Sequence, residues 1–139
     1  MAILKDKISA EYENIDRLIV EFPEKDKLPY LTFLELAGVA TLLHNFYNGI
    51  ENIIKICLTE ENIRLPEGGS WHKDLLKLAV SNKIITENTM FLLGEYLAFR
   101  HFFSHAYALD IYADKLEFLV ENIRDVYTRF QNDISLFIK

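Results

Sequence analysis

The sequence predicts an all-α fold, an up-and-down bundle of about five helices. Three observations carry this. Apolar residues recur at i, i+3 and i+4 along nearly the whole chain. Short runs rich in proline, glycine and charge separate the periodic stretches. No stretch alternates apolar and polar residues as a half-buried strand would. At 139 residues the chain fits one domain spanning 1–139.

Each element follows from its own pattern. Ile3, Ile8, Tyr12, Ile15, Leu18 and Ile19 form the stripe of a first helix over about residues 3–21. "FPEKDKLPY" then breaks the helical pattern with two prolines and a cluster of charges. A long second helix is expected over about 30–58, with Leu36, Val39, Leu43, Phe46, Ile50, Ile53 and Cys57 on its apolar face. Gly38 and Gly49 lie inside it, and each costs about 1 kcal/mol relative to alanine, which points to close helix contacts. "PEGG" is a loop, and Ser70 suits the N-cap of a short helix over about 71–80. Thr86 is expected to cap a fourth helix beginning "ENTMFLLGEYLAFRHFF". Asp110 or Asp114 is expected to cap the last, whose stripe is Leu116, Leu119, Ile123, Val126, Phe130 and Ile134.

Composition narrows the function. The net charge is −6 and there is no basic run, so a broad nucleic-acid footprint is excluded. A nucleic-acid substrate would have to be held at a small local site, or together with a partner. A single cysteine, Cys57, rules out a disulfide within the chain and fits a reducing, cytoplasmic setting. The N-terminal stretch mixes charges into its apolar residues, unlike a secretory signal, and no window reads as a membrane span.

The most informative stretch is "RHFFSHAY", Arg100 to Tyr107, inside an apolar helical run. A helix turns about 100° per residue, so Arg100 and Ser104 share a face while His101 and His105 share another. Arg100 and His105 differ by about 140° and do not converge on one straight helix. A bend near His105, or a two-fold dimer that apposes the patch from two copies, would bring such groups together. Histidine serves as a general acid or base near neutral pH, and arginine forks onto phosphate oxygens. Together they suit cleavage of RNA by its own 2′-hydroxyl, without a metal. The bland alternative is a polar patch that satisfies itself in a helix interface. His101 and His105 at i, i+4 have the spacing of zinc ligands, but no cysteine or carboxylate cluster completes a site, and neither a metal nor another cofactor is expected.

"RHFFSHAY" resembles the R-x4-H-x-Y form of the HEPN superfamily motif found in HepT-like ribonuclease toxins. His101 fits the polar residue that often follows the motif arginine. "YNGIENIIKICL", "WHKDLLKLA" and "LDIYADKLEFLVENI" resemble HepT-like proteins in order and spacing. The resemblance implies a homodimeric endoribonuclease toxin with Arg100 and His105 as its catalytic pair. It also implies an antitoxin partner, a MntA-like nucleotidyltransferase that uses ATP to add AMP units to Tyr107 and so silences the nuclease. A phosphate-bearing adduct beside His105 would occupy the place of the RNA phosphate and pair with Arg100. The competing reading is a non-catalytic module that binds a nucleotide or docks the nucleotidyltransferase.

Supporting residues read less sharply. His101 and Ser104 are expected to line the cleft. Asn48 and Glu51 lie at i, i+3 on the second helix, with Lys55 one turn beyond Glu51. A solvated face with a Glu51–Lys55 pair is the simpler reading, and reaching across to orient Arg100 is the functional one. His72, after Trp71, reads as part of a helix start. Phe102 and Phe103 read as core or dimer interface.

Overall fold

The computed structural model describes residues 2–139. Five α-helices appear in order: α1 (Ala2–Ile19), α2 (Phe33–Glu60), α3 (Trp71–Ser81), α4 (Glu87–His105) and α5 (Ala113–Phe137). Two short 3-10 helices, Lys25–Tyr30 and Ala108–Asp110, lie before α2 and before α5. The described residues contain no strand, so the expected all-α class holds.

α2 is the central element and packs against each of the other four α-helices. Its predicted stripe is buried: Leu43 is 1% exposed, and Phe46, Ile50, Ile53 and Cys57 are 0%. The helix starts at Phe33, about a turn later than the expected start near residue 30, because Thr32 makes a capping box with Glu35. The Thr32 hydroxyl accepts from Glu35 N–H at 3.1 Å, and the Glu35 carboxylate accepts from Thr32 N–H at 2.9 Å. The two glycines of α2 differ. A Cβ on Gly49 would fall 2.8 Å from Cγ1 and 2.9 Å from Cδ1 of the buried Ile15, so α1 and α2 approach closely there. Nothing lies within 4 Å of the Cβ position at Gly38, which gives no close contact.

The ends of α3 and α4 set the geometry of the site. Ser70 precedes α3 but makes no cap bond to the backbone; its hydroxyl donates to Asp74 instead, at 3.0 Å. Thr86 caps α4 as expected, accepting from Thr89 N–H at 3.2 Å. α4 stops at His105, where Ala106 turns extended. The expected Asp caps of the last helix are not found. Tyr112 occupies that position without a side-chain cap, and Asp114 falls in the first turn. Asp110 is used in the preceding turn, where its carboxylate accepts from Tyr107 N–H at 3.2 Å. Short Asp side chains readily bond nearby backbone in this way, which draws Asp110 away from α5.

Tertiary polar ties hold the outer helices. Tyr127 on α5 donates its hydroxyl to Asp16 on α1 at 2.8 Å, and Tyr96 on α4 donates to the Leu119 carbonyl on α5 at 2.7 Å.

Candidate active site

α2 carries His44, Tyr47, Asn48 and Glu51 at i, i+3, i+4 and i+7, on one face of the helix, where Asn48 meets Arg100 of α4 and Glu51 meets His72 of α3. Glu51 is only 2% exposed. The simpler expectation of a solvated Glu51–Lys55 pair is therefore wrong. The Glu51 carboxylate meets Nδ1 of His72 at 2.7 Å, and the Lys55 ammonium lies 4.6 Å from the centre of the Trp71 ring. The physical reason is tertiary: a buried carboxylate needs a partner, and the start of α3 supplies one.

The motif helix adds the opposite wall. Arg100 Nε donates to Asn48 Oδ1 at 3.2 Å, so the guanidinium is steered by α2. No carboxylate forms a salt bridge with Arg100 among the described residues, which leaves its outer N–H groups available to an anion. Arg100, His101, Ser104 and His105 line one side of a groove of about 520 Å³, and Ser70, His72 and Lys73 line the other. Arg100 and His105 thus share a groove despite their offset on the helix wheel, because the space between α3 and α4 spans several residue positions. The Ser104 hydroxyl is spent on the Arg100 carbonyl at 2.9 Å, a local bond to the preceding turn. The rings of His101 and His105 meet edge to face at 4.9 Å. Among the described residues no group of three His, Cys, Asp or Glu is placed to hold a metal ion.

Electrostatics follow burial. The His44 pKa is lowered first by burial and then by the Arg100 charge, with Glu51 opposing. Its Nδ1 is buried without a partner, beside the Phe103 ring at 5.2 Å. The Tyr47 hydroxyl is also buried without a well-aligned partner, and burial together with the Glu51 charge pushes its pKa well up. Phe103 is therefore partly buried over His44, and Phe102 is partly buried under the Lys115 ammonium at 4.7 Å.

Tyr107 lies past the end of α4, 82% exposed, with its backbone rather than its hydroxyl held by Asp110. A model of the family described as HepT-like protein matches residues 38–139. The chain belongs to the HepT-like family. The matched part of this HepT-like protein includes every site residue from His44 to Tyr107 and leaves α1 and the first 3-10 helix outside. No curated protein and no solved structure matches the chain.

The sequence reading missed His72 as a site residue. Glu51 and His72 are 21 positions apart and on different helices, so no local spacing signals the pair. A histidine opening a helix beside tryptophan is the only trace, and it is a weak one.

Proposed function

We propose that this HepT-like protein is a metal-independent endoribonuclease, the toxin of a type VII-like toxin–antitoxin pair. The observation that carries the reading is the shared groove of Arg100 and His105, with Arg100 fixed by Asn48 and without a carboxylate partner among the described residues. The RNA phosphate binds the outer N–H groups of Arg100, which stabilise charge as the phosphorus becomes five-coordinate. The 2′-hydroxyl of the RNA attacks the phosphorus, the 5′-oxygen leaves, and His105 takes part in the proton transfers. His101, Ser104 and His105 are exposed on the α4 side, so a second copy in a homodimer can complete the cleft.

Tyr107 is the switch in this reading. An exposed hydroxyl on an irregular segment is accessible to a MntA-like nucleotidyltransferase antitoxin, which transfers AMP from ATP. The adduct then sits two residues from His105 and places a phosphate within the field of Arg100.

The acidic balance, net −6, favours a second reading. In it the groove binds a nucleotide or docks the nucleotidyltransferase and cuts nothing. Purified protein, free of partner and unmodified, separates the two when incubated with RNA in EDTA. Cleavage that disappears in folded Arg100→Ala and His105→Ala variants supports the nuclease. An intact substrate, or cleavage that persists in folded His105→Ala, supports the docking module.

A further inference from the structure

The groove holds a histidine outside the Arg–His motif. His72 lines the wall facing Arg100 and His105, and its ring is fixed on both sides. It stacks on Trp71 with ring centres 3.6 Å apart, and its Nδ1 meets the buried Glu51 carboxylate at 2.7 Å. The acceptor is a carboxylate, so Nδ1 must carry the proton in this contact. Nε2 is then the nitrogen left to exchange a proton with whatever fills the groove. A carboxylate behind an imidazole fixes the tautomer and stabilises the imidazolium that forms when the other nitrogen takes up a proton. The charged and titratable groups around the ring are Glu51 and Lys55 from α2, Lys73 from α3, and Arg100, His101 and His105 from α4.

We propose that His72, backed by Glu51, is the general base of RNA cleavage and that His105 is the general acid. The proposal rests on the nuclease reading above. Neutral His72 takes the 2′-hydroxyl proton on Nε2 as the 2′-oxygen bonds to phosphorus. The bond from phosphorus to the 5′-oxygen breaks, and protonated His105 gives its proton to that oxygen. The products are a 2′,3′-cyclic phosphate end and a 5′-hydroxyl end. His72 finishes as the imidazolium paired with Glu51, His105 finishes neutral, and exchange with water restores both. The geometry favours this division because only His72 has a buried anion behind it, whereas His105 is exposed at the end of α4.

The test uses the full chain, in EDTA, on two RNA oligonucleotides cleaved over a range of pH. One is ordinary RNA. The other carries sulfur in place of the 5′-bridging oxygen, a leaving group that departs without a proton. Folding of each variant is checked by circular dichroism. On ordinary RNA, His72→Ala and His105→Ala should each lose ~100-fold or more in kcat, with KM little changed. The sulfur substrate should restore His105→Ala and leave His72→Ala slow. Glu51→Gln, which keeps the size of the side chain, should lower kcat with KM little changed, and the sulfur substrate should not restore it. A folded His72→Ala variant within about tenfold of wild type on ordinary RNA overturns the proposal while leaving the nuclease reading intact. Rescue of His72→Ala by the sulfur substrate overturns the assignment of base and acid. A wild-type protein that cuts neither RNA overturns the nuclease reading and this proposal with it.

Discussion

Nδ1 of His72 lies 2.7 Å from the carboxylate of Glu51, and the Glu51 side chain is 3% exposed against 20% for His72. Removing either partner leaves a buried polar group without its bond. His72→Ala should therefore lower stability by on the order of 2 kcal/mol, read as a lower urea midpoint. A chain of this size has enough stability to remain folded after that loss. The double variant Glu51→Leu/His72→Leu should lose less than the sum of the two single leucine changes, because no unpaired charge remains. Strict additivity would mean that the contact contributes nothing.

The Arg100–Asn48 bond predicts a different profile. Asn48→Ala frees the guanidinium to swing and should cut kcat/KM for RNA by about tenfold, with a stability change under about 1 kcal/mol. Arg100→Lys keeps the charge but loses the fork and the Nε bond, and should fall further, about 100-fold. If Arg100→Lys retains wild-type cleavage, the guanidinium is not acting through its geometry.

The helices were legible in the sequence because burial repeats at 3.6 residues. The stripes of α2 and α5 lie in the core as the periodicity predicts, Ile53 and Phe130 at 0% exposure among them. The T-x-x-E signature at Thr32 also lay in the sequence and marks the start of α2 better than the proline does. The site was most legible along α4 and just past its end, where Arg100 to Tyr107 are neighbours, and the sequence also offered Asn48 as a residue to orient Arg100. His72 reaches the groove from α3, while Asn48 and Glu51 hold Arg100 and His72 from α2, and these pairings are decided by packing that no local spacing records. Asp110 and Asp114 misled for a related reason: a short acidic side chain suits a turn as well as a cap, and Asp110 serves the turn after Tyr107.

Gly49 and Gly38 give opposite expectations for the same substitution. Gly49→Ala drives a methyl to within 2.8 Å of the Ile15 side chain, which is 1% exposed and must shift to admit it. It should destabilise by about 1–2 kcal/mol despite the gain in helix propensity. Gly38→Ala meets nothing within 4 Å and should stabilise by about 0.5–1 kcal/mol. Two thermal melts decide this, and equal shifts in the same direction would contradict the α1–α2 contact.

His44 links the site to stability. Its folded pKa lies below the ordinary value of 6.5, through burial first and the Arg100 charge second. As pH falls, the unfolded chain binds this proton before the folded chain does. The contribution of His44 to stability is intact above 6.5 and is lost progressively as pH falls from there toward the folded value. His44→Phe places an apolar ring beside Phe103 and removes the buried orphan nitrogen. Its urea midpoint should decline less than that of wild type between about pH 7.5 and 5.5. Parallel declines would show that His44 does not titrate differently in the folded chain.

Tyr107 supplies the prediction that separates regulation from packing. Tyr12, Tyr47, Tyr96 and Tyr127 have buried or partly buried hydroxyls, and burial raises the pKa of each, so none is presented to an enzyme. Tyr107 at 82%, Tyr30 at 88% and Tyr112 at 58% are the exposed ones, and only Tyr107 follows directly from the groove-lining end of α4. Co-expression with a MntA-like nucleotidyltransferase should add one or more AMP units to the intact mass. The increment should vanish in Tyr107→Phe and persist in Tyr30→Phe and Tyr112→Phe. Modified protein should cut RNA at least about tenfold more slowly than unmodified protein, because the adduct phosphate competes for Arg100. Unmodified Tyr107→Phe should cut at a rate close to wild type, since its hydroxyl is the point of attachment and not part of the proton transfers. An adduct that maps to Tyr30 or Tyr112, or a modified protein with full activity, would remove Tyr107 as the switch and leave the Arg100–His105 groove to be judged on cleavage alone.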